Sequence, residues 1–153
     1  MNVLSLFDGM SCGQIALDKL GIKVDNYFAC EIDKSAMQVA QKNFPNTVQL
    51  GSVTDLLDID LLLPKIDLVI GGSPCQSFSF AGKRKGMATT CNIEVLSLDQ
   101  YLELKDENFV FEGQSYLFWE YLRILQEVRD VNPDVKFLLE NVNMSKKMEI
   151  GNF

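Results

Sequence analysis

The sequence predicts an α/β fold in which helices cover both faces of a parallel β-sheet. Five short apolar runs are the first indication, because buried parallel strands are continuously hydrophobic. Segments with helical spacing of apolar residues separate several of these runs, which predicts strands joined by crossover helices. A length of 153 residues with 47% hydrophobic residues is enough for one domain with a sizeable core. Together these observations predict a Rossmann-like architecture.

The first half of the chain reads as three strands separated by two helices. The predicted strands are residues 2–7, 24–30 and 47–50. A helix over residues 13–20 ends at a glycine, and a second helix ends near residue 43, before a proline. Asp33 and Ser35 are both candidates for the cap of that second helix.

The second half departs from this alternation. Residues 66–70 and 135–139 are predicted strands, and apolar residues recur at helical spacing over residues 115–131. Residues 86–113 are predicted to form an irregular insertion with room for one short helix, and residues 143–153 a polar tail. The whole chain is therefore expected to be a single domain.

Charge and cysteine usage limit the function classes. Lys and Arg number 14 against 21 Asp and Glu, so the net charge is −7, a poor match for nucleic acid. Lys83-Arg84-Lys85 is the one basic cluster, and a solvated loop tip explains it as well as a phosphate contact does. Histidine is absent, so acid–base chemistry falls to carboxylates, lysine or cysteine.

The four cysteines lack the spacing of a metal site, so no metal is predicted. Neither an export signal nor an apolar stretch of about 18 residues is visible, which predicts a cytoplasmic protein with reduced thiols and no membrane association.

A glycine-bearing loop and a carboxylate form the first candidate site. Residues 7–13, Phe-Asp-Gly-Met-Ser-Cys-Gly, follow the first predicted strand, where a glycine turn lets the backbone approach a ligand. The Gly9–Gly13 spacing is not that of a dinucleotide site, which favours a nucleoside ligand without a diphosphate. Glu31 ends the second strand, where nucleotide sites hold a ribose-binding carboxylate, and Ile32 is placed to cover an adenine. A turn needed only for packing remains the alternative.

A thiol and a second carboxylate form the other candidate site. Pro74-Cys75-Gln76 follows the fourth strand, and Glu140-Asn141 follows the fifth, so both lie at the same edge of a parallel sheet. A thiolate attacks carbon, and a carboxylic acid with a raised pKa can donate a proton to the ring under attack. Asn141 is a candidate to orient that acid. The alternative is a cysteine packed as a small apolar residue and a carboxylate that caps a turn.

Taken together, these segments resemble the DNA cytosine-5 methyltransferase family. The matching segments, in the family's order and spacing, are Leu-Ser-Leu-Phe-Asp-Gly-Met at 4–10, Gly-Gly-Ser-Pro-Cys-Gln-Ser-Phe-Ser at 71–79, Tyr-Leu-Phe at 116–118 with Arg123, and Leu-Glu-Asn-Val at 139–142. They look nearest to the subgroup of de novo-type, phage and bacterial enzymes. The resemblance implies a methyltransferase fold, S-adenosylmethionine as cofactor, methyl transfer to carbon 5 of cytosine in DNA, and a restriction-modification setting.

The resemblance also implies individual roles. Cys75 would attack carbon 6 of cytosine and Glu140 would protonate or hydrogen-bond ring nitrogen 3, with Pro74, Gln76 and Asn141 beside them. Ser52 stands where the family often has an aspartate for the adenine amino group. The cofactor residues implied are Phe7, Asp8, Gly9, Met10, Glu31, Ile32, Ser52, Val53, Pro74 and Leu117. Residues 77–86 resemble the loop that closes over a flipped base, with DNA contacts implied for Ser77, Lys83, Arg84 and Lys85.

Family members continue past the Glu-Asn-Val strand into a Gln-x-Arg-x-Arg motif and a target-recognition domain, so the resemblance implies a C-terminally truncated, incomplete catalytic domain. Weak or absent DNA binding and little methylation of duplex DNA by this chain alone are then expected. Uncovered apolar surface would favour a homodimer or a complementing chain. A non-catalytic cofactor-binding module and a tRNA cytosine-5 methyltransferase remain alternatives, and a dinucleotide oxidoreductase is the least favoured.

Overall fold

The computed structural model describes residues 1–74, 88–91, 93–111 and 113–141, apart from the side chain of Asp60. The chain packs into two compact units. Unit 1 consists of Met1–Gly72 and Ile124–Glu140, and unit 2 of Ser73–Arg123 and Asn141–Phe153.

Unit 1 is built on a parallel sheet of five strands in the order β3-β2-β1-β4-β5. The strands are β1 Asn2–Leu6, β2 Asn26–Cys30, β3 Val48–Gly51, β4 Leu68–Gly71 and β5 Lys136–Leu139. The predicted α/β class and the parallel sheet are therefore confirmed. The strand order runs outward from β1 in both directions, and open sheets of this kind bind ligands at the carboxyl ends of the strands beside such a reversal.

The observed helices match the predicted ones wherever apolar residues recur at helical spacing in the sequence. They are α1 Cys12–Lys19, α2 Lys34–Asn43, α3 Ile59–Leu62, α4 Leu98–Asp106 and α5 Leu117–Val131. Asp33, and not Ser35, caps α2, because its side chain accepts a hydrogen bond from Ala36 N at 2.8 Å. Among the described residues, no helix has the length and apolar character needed to cross a membrane.

A 3₁₀ turn at Val53–Asp55 and the short helix α3 were not predicted. The segment between β3 and β4 has its apolar residues in irregular groups, so it presents neither the alternation of a strand nor a single helical face. α4 lies within the predicted insertion, where isolated antiparallel bridges also join Ala88 to Glu94 and Thr89 to Phe111.

Burial shows that both faces of the central strand are covered. Val3, Leu4 and Leu6 are 0% exposed and Ser5 is 3% exposed, although neighbouring strand residues point to opposite faces. This is the burial expected of a sheet with helices on both faces. On one face, α1 lies so close that a Cβ at Gly13 would be 2.3 Å from Ile70 Cδ1.

A buried carboxylate organises unit 2. Glu120 is 0% exposed, and its Oε1 accepts hydrogen bonds from Tyr101 Oη and Lys105 Nζ, both at 2.5 Å. Its Oε2 accepts a hydrogen bond from Arg123 Nε at 2.8 Å. Burial alone would raise the pKa of Glu120, but the bonds from Lys105, Tyr101 and Arg123 outweigh burial and hold the pKa below its ordinary value. The ionised carboxylate therefore ties α4 to the first turns of α5.

We expect Glu120→Gln to lower the free energy of unfolding by about 3 kcal/mol at pH 7, because two cations lose their buried anion. The pKa of Glu120 in the folded state lies below its unfolded value of about 4.3. The stabilisation that the ionised carboxylate provides is therefore complete above the unfolded pKa and is lost as pH falls through the folded pKa. Urea unfolding at pH 7 and at lower pH tests this. Glu103→Gln, at an exposed position of α4, is the matched control and should change stability by less than about 0.5 kcal/mol. Equal stability of Glu120→Gln and wild type at pH 7 would contradict the prediction.

Candidate functional site

The loop after β1 has an unusual backbone. Phe7, Gly9 and Ser11 have φ angles of 58°, 57° and 61°, the left-handed region that residues other than glycine rarely occupy. Two backbone bonds hold the loop: Asp8 N donates to Cys30 O at 3.0 Å, and Ser11 N donates to Asp8 O at 3.1 Å. The loop therefore folds back over the carboxyl ends of β1 and β2.

Glu31, directly after β2, binds this loop. Its Oε2 accepts a hydrogen bond from Gly9 N at 2.8 Å, and its Oε1 accepts hydrogen bonds from Ile32 N at 2.7 Å and Asp33 N at 2.8 Å. A carboxylate offers about four acceptor positions, so these bonds leave about one, on Oε2. The structure thus brings together the glycine turn and the carboxylate that the sequence singled out.

The other residues predicted to bind a cofactor in unit 1 differ in exposure. Met10 and Ile32 are 55% and 70% exposed, which leaves them accessible to a ligand. Phe7 is half-buried and Val53 is only 4% exposed. Ser52 caps the 3₁₀ turn, because its Oγ accepts a hydrogen bond from Thr54 N at 3.2 Å. All follow β1, β2 or β3, three neighbouring strands, and so lie at one edge of the sheet.

Two glycines at the end of β4 lie close to neighbouring atoms, and at Gly71 a side chain would not fit. A Cβ at Gly71 would lie 2.2 Å from Leu6 O, a backbone atom of β1. A Cβ at Gly72 would lie 2.9 Å from Glu140 Oε2, and Glu140 N donates to Gly71 O at 2.9 Å. The exposed Glu140 carboxylate therefore stands beside Gly72, in the space that the missing side chain leaves.

In unit 2, Asn141 holds the segment that precedes Pro74. Its Nδ2 donates a hydrogen bond to Ser73 Oγ at 2.9 Å, and Ser73 is 4% exposed. Sequence reasoning proposed Asn141 as the residue that orients Glu140 and did not single out Ser73. No local pattern marks the pair, because 68 residues separate its members.

The remaining residues predicted to form the cofactor, catalytic and DNA-contact sites fall into two groups. Pro74 and Leu117 lie in unit 2, the latter as the first residue of α5. Several predicted residues lie outside the described part of the chain: Cys75, Gln76, Ser77, Lys83, Arg84 and Lys85. In the part that is described, no group of His, Cys, Asp and Glu side chains could hold a metal ion.

Comparison with known proteins adds a family match. The family model of the C-5 cytosine-specific DNA methylases matches residues 1–101 of the 153. The orphan methyltransferase M.Rho11sI of Bacillus phage rho11s is 36% identical over 116 residues, which are 74% of this chain and 23% of that protein. The type II methyltransferase M.NgoBV of Neisseria gonorrhoeae is 32% identical over 115 residues, which are 72% of this chain and 27% of that protein. The type II methyltransferase M.HgiCI of Herpetosiphon aurantiacus is 30% identical over 142 residues, which are 88% of this chain and 33% of that protein.

This chain thus spans between 23% and 33% of the length of these curated relatives. Among solved structures, a triple mutant of Spodoptera frugiperda DNMT2 is similar with a TM-score of 0.57 and 23% sequence identity. The alignment covers 93% of this chain and 35% of that one. At this identity the likeness shows the fold alone, and it agrees with the predicted methyltransferase fold.

We expect Gly71→Ala to lower the free energy of unfolding by about 3 kcal/mol, because its methyl group would meet a backbone oxygen that cannot move without separating β4 from β1. Thermal unfolding followed by circular dichroism measures the effect. Gly21→Ala is the control: it has a positive φ of 68° but no atom within 4 Å of the added Cβ, so it should cost only about 1–2 kcal/mol of backbone strain. A smaller loss for Gly71→Ala than for Gly21→Ala would contradict the close approach of the two strands.

Proposed function

Because this chain belongs to the family of C-5 cytosine-specific DNA methylases, we propose that its residues bind S-adenosylmethionine and act in methyl transfer to carbon 5 of cytosine in DNA. The observation that carries the proposal is the 2.8 Å hydrogen bond from Gly9 N to Glu31 Oε2. It joins the two segments to which the proposal assigns the nucleoside half of the cofactor.

The residues at this edge of the sheet fit such a cofactor. S-adenosylmethionine has a ribose with hydroxyl donors, a flat apolar adenine and no phosphate. The remaining acceptor position on Glu31 Oε2 suits a ribose hydroxyl. The exposed side chains of Met10 and Ile32 are apolar surfaces of the kind that adenine covers. Phe7, Asp8, Ser52 and Val53 complete the proposed cofactor residues of unit 1. The same role for Pro74 and Leu117, in unit 2, is proposed from the family's motifs alone.

The proposed chemistry begins at Cys75. Its thiolate adds to carbon 6 of cytosine and forms a sulfur–carbon bond, and the electron pair of the 5,6 double bond becomes available at carbon 5. Glu140 protonates or hydrogen-bonds ring nitrogen 3 and so stabilises the negative charge that develops on the ring. When bound, the cofactor supplies the electrophilic methyl group. Loss of the carbon 5 proton to solvent then restores the double bond and expels the Cys75 thiolate.

Two contacts support these roles for the ends of β4 and β5. Glycine at position 72 leaves space beside the Glu140 carboxylate, so that this carboxylate can meet a planar ring without a side chain in the way. The bond from Asn141 to Ser73 Oγ fixes the residue before Pro74, and proline in turn restricts the backbone that leads to Cys75. We therefore assign Asn141, Pro74 and Gln76 to the support of the nucleophile.

DNA binding requires more positive charge than this chain carries. With a net charge of −7, residues 1–153 are repelled by a phosphate backbone. We propose that Ser77, Lys83, Arg84 and Lys85 provide local phosphate contacts, and that most of the recognition surface comes from polypeptide other than residues 1–153. The coverage of 23% to 33% of the curated relatives supports this division.

We expect isothermal titration calorimetry to detect S-adenosylmethionine binding by the wild-type chain. Glu31→Gln should weaken binding about tenfold, because an amide N–H₂ would face backbone N–H groups that need an acceptor. Asp18→Asn, at an exposed position of α1, is the control and should bind like wild type. Absence of wild-type binding, or equal binding by Glu31→Gln, would argue against the proposed site.

Single-stranded DNA that contains 5-fluorocytosine, supplied in large excess together with S-adenosylmethionine, tests the nucleophile, because a covalent adduct accumulates even where DNA binding is weak. Once its carbon 5 is methylated, no proton remains there to be lost, so the bond to Cys75 should persist and appear as a covalent adduct by mass spectrometry. We expect the adduct with wild type and with Cys91→Ser, which alters an exposed free thiol, but not with Cys75→Ser. An adduct formed with fluorinated tRNA and not with DNA would favour the RNA-modifying alternative, and an adduct on Cys75→Ser would exclude the proposed role of Cys75.

A further inference from the structure

We propose that Tyr27 is a positioning residue for the loop 7–11, which it holds in its binding conformation through the buried carboxylate of Asp8. Tyr27 Oη donates a hydrogen bond to Asp8 Oδ1 at 2.8 Å, and Ser11 Oγ donates a second one to Asp8 Oδ2. Tyr27, Asp8 and Ser11 are 3%, 8% and 0% exposed. This inference rests on the proposed function, which assigns the loop to the cofactor.

The loop needs such support because its backbone is strained. Phe7 and Ser11 carry side chains at positive φ, a strained backbone conformation that persists only where the surrounding structure holds it. Asp8 lies between them in the chain. Its carboxylate accepts one hydrogen bond from Tyr27 of β2 and one from Ser11 of the loop itself. A buried carboxylate that loses a donor is destabilised, and the simplest relief is for the loop to turn Asp8 toward water.

Tyr27 is itself placed by the sheet. It pairs with Val3 in the register of β1 and β2, and its ring packs with Val3, Leu17 and Ala29. Gly13 leaves space for the phenol, since a Cβ there would lie 3.2 Å from Tyr27 Oη. Burial raises the pKa of Tyr27 well above its ordinary value, and the Asp8 carboxylate raises it further. The phenol therefore keeps its proton at neutral pH and can donate to Asp8.

A change at Tyr27 can reach the cofactor site because Asp8 and Gly9 are adjacent in the chain. Asp8 is bonded to its neighbour Gly9, whose N–H is held by Glu31 Oε2. A displacement of Asp8 therefore moves the Gly9 amide and changes the acceptor position that Glu31 offers to a ribose. Tyr27 would thus control cofactor affinity without contacting the cofactor.

The test is calorimetric titration of the complete 153-residue chain with S-adenosylmethionine, at a temperature where every variant is folded. We expect Tyr27→Phe to raise the Kd about tenfold, the effect of one hydrogen bond to a charged group. Tyr101→Phe is the matched control, because Tyr101 is also buried and donates to a buried carboxylate, Glu120. It should lower the melting temperature by a similar amount and leave the Kd within about twofold of wild type.

Two further variants separate positioning from general stability. Asp8→Asn keeps an acceptor for Tyr27 and can donate to Ser11 Oγ, so it should bind better than Tyr27→Phe. The double variant should lose less affinity than the sum of the single losses if Tyr27 acts through Asp8. Should Tyr27→Phe fail to fold, Ser11→Ala removes the other donor and is expected to raise the Kd in the same way.

The outcomes distinguish this inference from the function on which it rests. If wild type does not bind, both are overturned. If wild type binds and Glu31→Gln binds weakly, but Tyr27→Phe binds like wild type or no worse than Tyr101→Phe, the positioning role alone is overturned. A selective loss in Tyr27→Phe, coupled to Asp8, supports it.

Discussion

The structure of the candidate site depends on the close approach of β4 to β1. At the end of β4, the backbone of Leu6 occupies the space in which a residue at position 71 would have its Cβ, 2.2 Å from the Leu6 carbonyl oxygen. Only glycine permits this separation. Because β1 and β4 are the neighbours from which the sheet grows in opposite directions, their carboxyl ends fix where the glycine turn and the Gly72 backbone begin.

Two buried carboxylates, Asp8 in unit 1 and Glu120 in unit 2, are satisfied by different chemistry. Asp8 is satisfied by two neutral hydroxyl groups, which carry no charge to balance its own. Glu120 is satisfied by Lys105 and Arg123 together with one hydroxyl, so its charge is compensated locally. Within the described part of the chain no ion pair involves Asp8, so its burial there is compensated by these hydrogen bonds.

The sequence predicted the parts of this arrangement that depend on local patterns or on motif order. The strands, α1, α2 and α5 follow from periodicity, and the sequence reduced the cap of α2 to two candidates, Asp33 and Ser35, of which Asp33 is the cap. The Tyr27–Asp8 and Asn141–Ser73 contacts span 19 and 68 residues, so they depend on sheet register and loop conformation, which no local pattern encodes. Tyr27 in particular lies in an apolar strand, where an aromatic residue is expected simply to pack.

The same contacts explain why the loop suits a ligand without phosphates. In a dinucleotide site, backbone N–H groups of the glycine turn bind the pyrophosphate. Here the Gly9 N–H donates to Glu31, a carboxylate of the protein itself, and Asp8 lies directly before it. A diphosphate would have to displace one carboxylate and approach a second, at an unfavourable electrostatic cost. A cationic nucleoside meets no such barrier. The charge of this loop therefore argues against an oxidoreductase on grounds independent of its glycine spacing.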